Sequence, residues 1–506
     1  MPGSETLILM HGFSAEGRPG DVAKIYGTLP AALKNLPVLE VNLGRYVSLD
    51  DSVDLEDVTL AFDRVLAAHP ELLEHGFNAV THSTGALVMR NWVRRHGHQP
   101  SPLRRLVHLA GAHFGSGWAH LGRSQLARWV HLIGQGSDDR GLGVLTDLEL
   151  GSQWAIDLHL HFLTPGHDML TDYGVLEACL VGCAPPPTWS ALPFRYGHEA
   201  GSDGVVRVAA SNLNVNYLRI GPSRPAGQVD WAKAFASVSP GSALLTLEGE
   251  VPPTRSEEEF YAVLEESRPG HKTRTETPFA VLDHCAHVGT ETGILTGSQP
   301  QETVLRLLSA VLNAQPGDAA AVCEQFGEVT RQTYARVGTP GQGSDASPFG
   351  IGRLSRTGRT LQKQYEPHAQ LIVRTWDHLE RPLPGCSVHL NSFGGGAKPQ
   401  RLINDLFEDT HLNSLSSNTL TFYLRTHRYD PGDGSWKAIL PEINGIDLEI
   451  DAPPGAGGRV QVVPLRLRLD SATLERWIEP HRTTVLDVQL LRLSSDDTFE
   501  MHLSGA

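Results

Sequence analysis

Cysteine is scarce in this chain, and its few cysteines follow no pairing pattern. The 506 residues include five cysteines, an odd number, and none forms a Cys-x-x-Cys pair with the spacing of a zinc site. A disulfide framework is therefore not expected. Synthesis in a reducing compartment fits this composition best.

Long apolar runs are also missing. No stretch reaches the roughly 18 apolar residues that a transmembrane helix needs. The apolar residues 7–10 are too few for the core of a signal peptide, and they run directly into a His-Gly pair. We therefore expect a cytoplasmic protein, and any export would use a route that reads no classical signal.

Positive charge is in deficit. The chain has 42 lysines and arginines against 57 aspartates and glutamates, which gives a formal net charge of −15. A nucleic-acid-binding protein would carry a basic field instead, and an acidic chain has no general attraction to anionic membranes. The hydrophobic fraction of 40% is that of a globular protein, and the length predicts two or three domains.

The stretch 77–90 has the pattern of an apolar strand, a tight turn and an amphipathic helix, with Ser83 at the apex of the turn. This is the context of a nucleophile elbow, in which the hydroxyl is lifted clear of the backbone. Gly85 allows the helix to start close to the strand, whereas Thr81 replaces the usual first glycine and crowds the turn. We predict that Ser83 is a nucleophile; the alternative is an ordinary turn in which it caps the helix.

A second motif, His11-Gly12, follows the first strand about 70 residues before the serine. The glycine lets the backbone turn sharply, so that the N–H of Phe13 can point at a substrate oxygen. The N–H of Thr84, directly after the nucleophile, would be the second donor of this oxyanion hole. The alternative interpretation of the His-Gly pair is a plain turn.

Asp203 lies in a Gly-Ser-Asp-Gly turn beyond a late strand. The acid belongs there in a hydrolase whose triad runs in the order Ser, Asp, His. Its carboxylate would accept the Nδ1–H of a histidine and hold that tautomer. An Asp-Gly pair is also common in turns without any catalytic role, which is the alternative.

Two histidines compete for the role of catalytic base after the apolar residues 278–282. His284 lies only two residues beyond this strand and could still belong to it. His287 lies further into the loop and precedes Val-Gly, where the chain can turn. We predict His287 as the base and keep His284 as the alternate base.

Three further residues have the chemistry of a site but a weaker context. Ser116, in Gly-Ser-Gly, competes as a nucleophile, although no clear helix start follows it. His159 and His161 alternate in a manner that suits a metal, but no acidic partner stands at ligand spacing. We therefore predict no metal and no cofactor.

Strands and helices alternate over residues 1–315, which predicts an α/β domain with a parallel sheet. A long insertion at about 114–170 has a helical period and many aromatic and histidine residues. It predicts a helical cap over an apolar acyl pocket, with a packed helical subdomain as the alternative. Residues 230–272 are interpreted as an insertion between the acid and the histidine.

The pattern changes after residue 315. Residues 316–353 predict a helix and then a linker rich in Gly, Pro and Ser. Residues 354–506 show short alternating strands separated by turn clusters, which predicts a smaller all-β, sandwich-like domain. This domain holds no recognisable chemistry, so stabilisation of the first domain is its expected role, and docking of a substrate, membrane or partner is the alternative.

In this order, the glycine after the first strand, the serine elbow, the Gly-Ser-Asp-Gly turn and the paired histidines resemble the α/β-hydrolase superfamily over residues 1–315. The likeness is to bacterial lipases and phospholipases, including lipase effectors of type VI secretion, which also lack classical signals. It implies a serine hydrolase that cleaves lipid esters through Ser83, Asp203 and His287 and an acyl-enzyme. Lipases of this type can hold a structural Ca²⁺, but no ligand set is readable here.

Two other functions stay open at this point. One is a general carboxylesterase or polyester hydrolase, and the other is a non-catalytic relative that binds through its β-domain. We expect a lipid or other ester as the binding partner and no nucleic acid. A transient contact with a membrane surface and an unidentified secretion or immunity partner stay open.

Overall fold

The computed structural model describes most of the chain, and the account below is confined to those residues. They are 6–12, 25–33, 38–41, 50–97, 99–116, 142–184, 200–230, 233, 244–247, 260–271, 274–337, 365–392, 397–430, 434–453 and 460–494.

The strands have the following bounds, numbered in chain order: β1 Thr6–Met10, β2 Val38–Val41, β3 Phe77–His82, β4 Leu103–Leu109, β5 Leu176–Gly182, β6 Asn216–Pro222, β7 Leu244–Leu247, β8 Tyr261–Ser267, β9 Phe279–Leu282, β10 His368–Asp377, β11 Ser387–Ser392, β12 Phe407–Leu412, β13 Thr419–Arg425, β14 His427–Asp430, β15 Ser435–Ala438, β16 Gly445–Asp451, β17 Val460–Val462, β18 Leu465–Asp470, β19 Thr483–Leu490 and β20 Arg492–Ser494.

The α-helices have the following bounds: α1 Leu29–Ala32, α2 Leu55–Ala67, α3 Pro70–His75, α4 Gly85–His96, α5 Leu142–Asp147, α6 Gln153–His161, α7 Gln301–Leu312, α8 Ala319–Val337, α9 Ala397–Leu406 and α10 Ser471–Trp477.

A parallel sheet in the order β2-β1-β3-β4-β5-β9 forms the centre of the N-terminal domain. Its strands are mostly apolar and buried on both faces because helices cover both faces. In β1, Ile8 joins the core with α2 and α4, whereas Leu7 joins the opposite core with α7 and α8. The predicted α/β-hydrolase arrangement is therefore confirmed.

Local sequence accounts for the helices of this domain. Helix α2 begins at a capping box, in which Asp54 accepts from the N–H of Asp57 and the side chain of Asp57 accepts from the N–H of Asp54. Its apolar residues recur at helical spacing and turn one stripe to the sheet. Helix α4 ends at Gly97, whose φ of 63° is the left-handed conformation typical of a helix C-terminus.

The β-rich region consists mainly of two further sheets. One has six strands in the order β12-β13-β10-β19-β6-β8, and the other has four in the order β11-β16-β18-β7. Their facing sides share a core that includes Leu371, Leu486, Leu448 and Leu467. The two sheets therefore pack face to face over a common interior.

Three strands of this region do not come from residues 354–506. β6 and β7 pair in parallel with β19 and β18, and β8 pairs with β6. All three lie between Asp203 and His287 in the chain. The chain therefore leaves the central sheet after β5, passes the predicted acid, contributes to both β-sheets, and returns as β9 before the predicted base.

The six-stranded sheet also packs against the N-terminal domain. Ile372 and Val485, on the face away from the β-sheet core, belong to the same core as Ile156 of α6. Buried Arg374 donates to both carboxylate oxygens of Asp487, at 2.6 and 2.7 Å, and to Asp157 of α6 at 2.6 Å. Successive side chains of a strand point to opposite faces, so one face of the six-stranded sheet packs in the core between the two β-sheets and the other packs in the core of the N-terminal domain.

Parts of the predicted cap and linker fall outside the described residues, namely 117–141 and 338–364. The described part of the cap contains α5 and α6, as a helical insertion predicts, and α8 covers most of the helix predicted before the linker. Among the described helices, none combines the length and the apolar character needed to cross a membrane.

Candidate active site

The elbow at Ser83 joins the end of β3 to the start of α4. Ser83 has a φ of 54°, a left-handed conformation that is rare for residues other than glycine. Thr84 occupies the N-cap position, and the helix begins at Gly85. A Cβ on Gly85 would lie 2.9 Å from the carbonyl oxygens of Met10 and His11, so only glycine allows the helix to start against β1.

Thr81 does not crowd the turn, because it lies within β3 and its hydroxyl has a partner on the neighbouring strand. Its Oγ1 is 2.7 Å from Nδ1 of His108, and Nε2 of His108 is 2.8 Å from Glu177. Glu177 also pairs with Arg90 of α4. The strand before Ser83 and the helix after it are thus tied to one buried carboxylate.

The charges of this network follow from burial and pairing. Burial lowers the pKa of His108, and this outweighs the effect of Glu177. Burial would raise the pKa of Glu177, but Arg90 and the hydrogen bond from His108 hold it below its usual value. A neutral His108 that donates through Nε2 to the Glu177 carboxylate and accepts the Thr81 hydroxyl at Nδ1 satisfies each group.

Three side chains from distant parts of the sequence meet at the elbow. Nε2 of His287 is 3.1 Å from Oγ of Ser83, and its Nδ1 is 2.8 Å from Oδ2 of Asp203. Oδ1 of Asp203 accepts the N–H groups of Val205 and Val206 at 2.9 and 2.8 Å. Ser83 is 8% exposed and Asp203 is fully buried, so the hydroxyl is at the edge of the interior and the carboxylate within it.

The loop after β9 distinguishes the two candidate histidines. The ring of His287 makes the hydrogen bonds to Ser83 and Asp203, and its backbone N–H donates to the carbonyl of Asp203 at 3.0 Å. His284 is half-buried in the turn before it, with a φ of 47°. The described geometry therefore brings His287 to Ser83 and Asp203, and its role as the base stays a prediction.

His82 is a neighbour of the site that sequence reasoning missed. Its ring lies 4.7 Å from that of His287, and its Nε2 is 3.3 Å from the carbonyl oxygen of His287. Burial, and then the proximity of a second imidazole, lower the pKa of His82 well below its usual value. A neutral His82 that donates to this carbonyl helps to hold the His287 loop. The sequence feature that could have pointed to His82 is its position directly before Ser83.

Of the two predicted oxyanion donors, the N–H of Thr84 lies among the described residues. A Cβ on Gly12 would lie 2.6 Å from Cβ of Ser83 and 2.9 Å from the nitrogen of Thr84. The chain after β1 therefore passes directly against the elbow. The N–H of Thr84 lies at the positive end of α4. Phe13 falls outside the described residues, so its N–H stays a prediction.

The competing candidates have other partners. The hydroxyl of Ser116 donates to the carbonyl of Val205 at 2.5 Å and so supports the Asp203 loop. His159 donates to the carbonyl of His113 at 2.7 Å, and Nε2 of His161 is 3.2 Å from the hydroxyl of Tyr173. Across the described ranges, no group of three or more His, Cys, Asp or Glu side chains could hold a metal ion.

Comparisons with known proteins bear on the fold around this site. The family model described as palmitoyl protein thioesterase matches residues 6–131. The structure of phospholipase PlaB from Legionella pneumophila matches with 22% identity and a TM-score of 0.74, covering 100% of this chain and 97% of that one. PlaB in complex with thio-NAD matches with 23% identity and a TM-score of 0.72, covering 99% and 97%.

A more distant structural match is the mature form of the Bacillus licheniformis lipase BlEst2, at 18% identity and a TM-score of 0.30, covering 42% of this chain and 80% of that one. Among curated proteins, none matches this chain. The likeness to the Legionella enzyme extends over the β-rich region as well as the central sheet. The chain therefore shares the fold of the Legionella enzyme over its whole length, with an α/β-hydrolase arrangement at its centre.

Proposed function

We propose that this chain is a serine hydrolase that cleaves lipid esters, as a lipase or phospholipase does. The observation that carries the proposal is the continuous hydrogen-bonded series from Ser83 through His287 to Asp203, at 3.1 and 2.8 Å. The serine stands on a left-handed elbow at the N-terminus of α4, where a nucleophile is exposed and a developing oxyanion is stabilised.

The reaction begins when Oγ of Ser83 attacks the ester carbonyl and Nε2 of His287 takes its proton. Asp203 holds Nδ1–H and stabilises the imidazolium that forms. The N–H groups of Thr84 and Phe13 bind the tetrahedral oxyanion, each contributing about 3–4 kcal/mol. His287 then protonates the leaving alcohol, and the acyl group remains on Ser83.

Water completes the cycle. His287, again neutral, takes a proton from a water molecule as its oxygen attacks the acyl carbonyl, and the second tetrahedral intermediate uses the same donors. Collapse of this intermediate releases the carboxylic acid and returns the proton to Ser83. The two half-reactions consume one ester and one water and need no cofactor.

A lipid ester as substrate is supported by what the matching proteins are called and by an exposed apolar residue beside His287. The family model refers to palmitoyl thioesters, and the whole-chain match is a phospholipase. Val288, an apolar residue directly after His287, is 41% exposed. A cytoplasmic location and a non-classical export route remain predictions.

The test is labelling with a fluorophosphonate, followed by mass spectrometry to locate the adduct. Wild type and His284→Ala should carry the adduct on Ser83, whereas Ser83→Ala and His287→Ala should not label at a comparable rate. The same proteins would then be assayed on phosphatidylcholine micelles and on a short p-nitrophenyl ester. No adduct on wild type with micelles present would overturn the proposal, and a preference for the short ester would favour a general carboxylesterase.

A further inference from the structure

The position of the Asp203 carboxylate depends on the short loop that carries it, here called the acid loop and defined as residues 200–208. The loop closes on itself, because the N–H of Asp203 donates to the carbonyl of Val206 at 3.2 Å and the N–H of Val208 donates to that of Gly201 at 2.9 Å. Since Oδ1 of Asp203 is bound to the N–H groups of the same loop, a shift of the loop shifts the carboxylate.

The start of the acid loop is held by a side chain from the β-rich region. The hydroxyl of Tyr423, in β13, donates to the carbonyl oxygens of Ala200 and Gly201, at 2.8 and 3.1 Å. Tyr423 is fully buried, so water does not compete for these carbonyls. A Cβ on Gly201 would lie 2.7 Å from this hydroxyl and 2.9 Å from Nδ1 of His368, so glycine permits the close approach.

The end of the acid loop is held by the same ring. The guanidinium of Arg207 lies 4.3 Å from the centroid of the Tyr423 ring, and Nη2 of Arg207 donates to Asp409 of β12 at 2.6 Å. His368 of β10 stacks on the Tyr423 ring with centroids 4.4 Å apart and planes 10° apart. Strands β10, β12 and β13 thus hold both ends of the loop.

We propose that Tyr423 is a positioning residue for Asp203, so that the β-rich region completes the active site instead of merely stabilising the first domain. The inference rests on the proposed function, since it assigns a part in the proposed triad. Its physical basis is that general-base catalysis depends on where the carboxylate stands relative to His287, and small displacements of a catalytic group cost rate without changing substrate binding.

The test is Tyr423→Phe with Tyr261→Phe as its matched control. Phenylalanine keeps the ring that contacts His368 and Arg207 and removes only the hydroxyl. Tyr261 is an equally suitable buried tyrosine of the β-rich region, whose hydroxyl donates to the carbonyl of Val463 at 2.5 Å. It makes the same kind of hydrogen bond without touching the acid loop.

We expect Tyr423→Phe to lower kcat and the rate constant of fluorophosphonate inactivation by about tenfold, with KM within about twofold of wild type. Tyr261→Phe should keep both rates within about twofold, although the melting temperatures of the two variants fall alike. Wild-type rates for Tyr423→Phe would overturn the proposal. An equal loss of rate in both variants would also overturn it, because general loosening would then explain the effect.

A second variant covers the case in which Tyr423→Phe does not fold. Asp409→Asn removes the charge that pairs with Arg207 on a side chain that is 35% exposed, so the fold should tolerate it. We expect a loss of about threefold in kcat. An unchanged kcat would then contradict the proposal. Failure of wild type itself to label would instead overturn the proposed function, which separates the two outcomes.

Discussion

Replacing Gly12 by alanine should disable the site while leaving most of the fold intact. A Cβ at this position would lie 2.6 Å from Cβ of Ser83, 2.9 Å from the carbonyl oxygen of His82 and 2.9 Å from the nitrogen of Thr84. Two of these atoms belong to the backbone and cannot rotate away. Carbon atoms in contact stand about 3.5–4.0 Å apart, so the elbow and the chain after β1 must separate by about 1 Å.

A displacement of about 1 Å in a catalytic group can cost about 100-fold in rate. The same shift would move the chain after β1 away from the elbow, where the oxyanion is expected to bind. We therefore expect kcat of Gly12→Ala to fall by about 100-fold with a small change in KM. The cost in folding free energy should stay near the roughly 1–3 kcal/mol of an overpacked interior.

The assay is turnover of a long-chain p-nitrophenyl ester together with the rate of fluorophosphonate inactivation, and urea unfolding reports stability. Gly317→Ala is the control, because a Cβ there meets no atom within 4 Å. Gly317→Ala should behave as wild type in all three measurements. If Gly12→Ala turned over within threefold of the control, the assignment of this turn to the oxyanion side of the site would be wrong.

The other predictions concern the nucleophile, the strand before it and a half-buried acid of the cap. Ser83→Ala should lose turnover by at least about 1000-fold at an unchanged melting temperature, and near-normal turnover would exclude Ser83. Thr81→Val leaves Nδ1 of buried His108 without the Thr81 hydroxyl and should cost about 1–3 kcal/mol in urea unfolding; an unchanged midpoint would contradict this. Burial raises the pKa of Asp147 to about 6 from 3.8, so the native state binds more protons than the unfolded state between these values and stability falls as pH rises through them. The free energy of unfolding of Asp147→Asn should therefore exceed that of wild type by about 1–2 kcal/mol at pH 8 and nearly equal it at pH 4. If chemical denaturation gave the same difference at both pH values, the raised pKa of Asp147 would be refuted.

Much of the site could be predicted because its motifs are local. The elbow at Ser83 depends on a strand, a turn and a helix within 14 residues, and the Gly-Ser-Asp-Gly turn depends on four. The choice between His284 and His287 depended on how far each lies beyond β9, and the described hydrogen bonds of His287 agree with the preferred choice. The catalytic roles themselves await the experiments above.

Thr81 shows where local reasoning was insufficient. Beside Ser83 in the sequence it is a β-branched residue in place of glycine, and crowding is the natural expectation. In the structure it faces His108 across a parallel strand pair, and its hydroxyl is bound there. Strand pairing joins residues that are distant in sequence, so a partner of this kind leaves no local signal.

Sequence analysis did not assign the strands between the acid and the histidine to the β-rich region, for a related reason. The sequences of β6 and β8 have the composition of strands, but they do not indicate which sheet the strands join. β19, the partner of β6, lies more than 260 positions further along the chain, and β8 joins the sheet only through β6. Strands from one stretch can join either sheet, and long-range packing selects between the two.

By itself, the sequence determined the alternation of strands and helices, the elbow, and the order of the serine, the acid and the two histidines. The patterns that predict these features, turn residues and periodic apolar positions, lie within short segments and can be recognised without the path of the remaining chain. Only the tertiary structure decided that His287 faces Ser83 and that Tyr423 reaches the acid loop, 222 residues from Gly201. Contacts of that length depend on the path of the whole chain, because the entropy of closing such loops is offset only when many distant contacts form together.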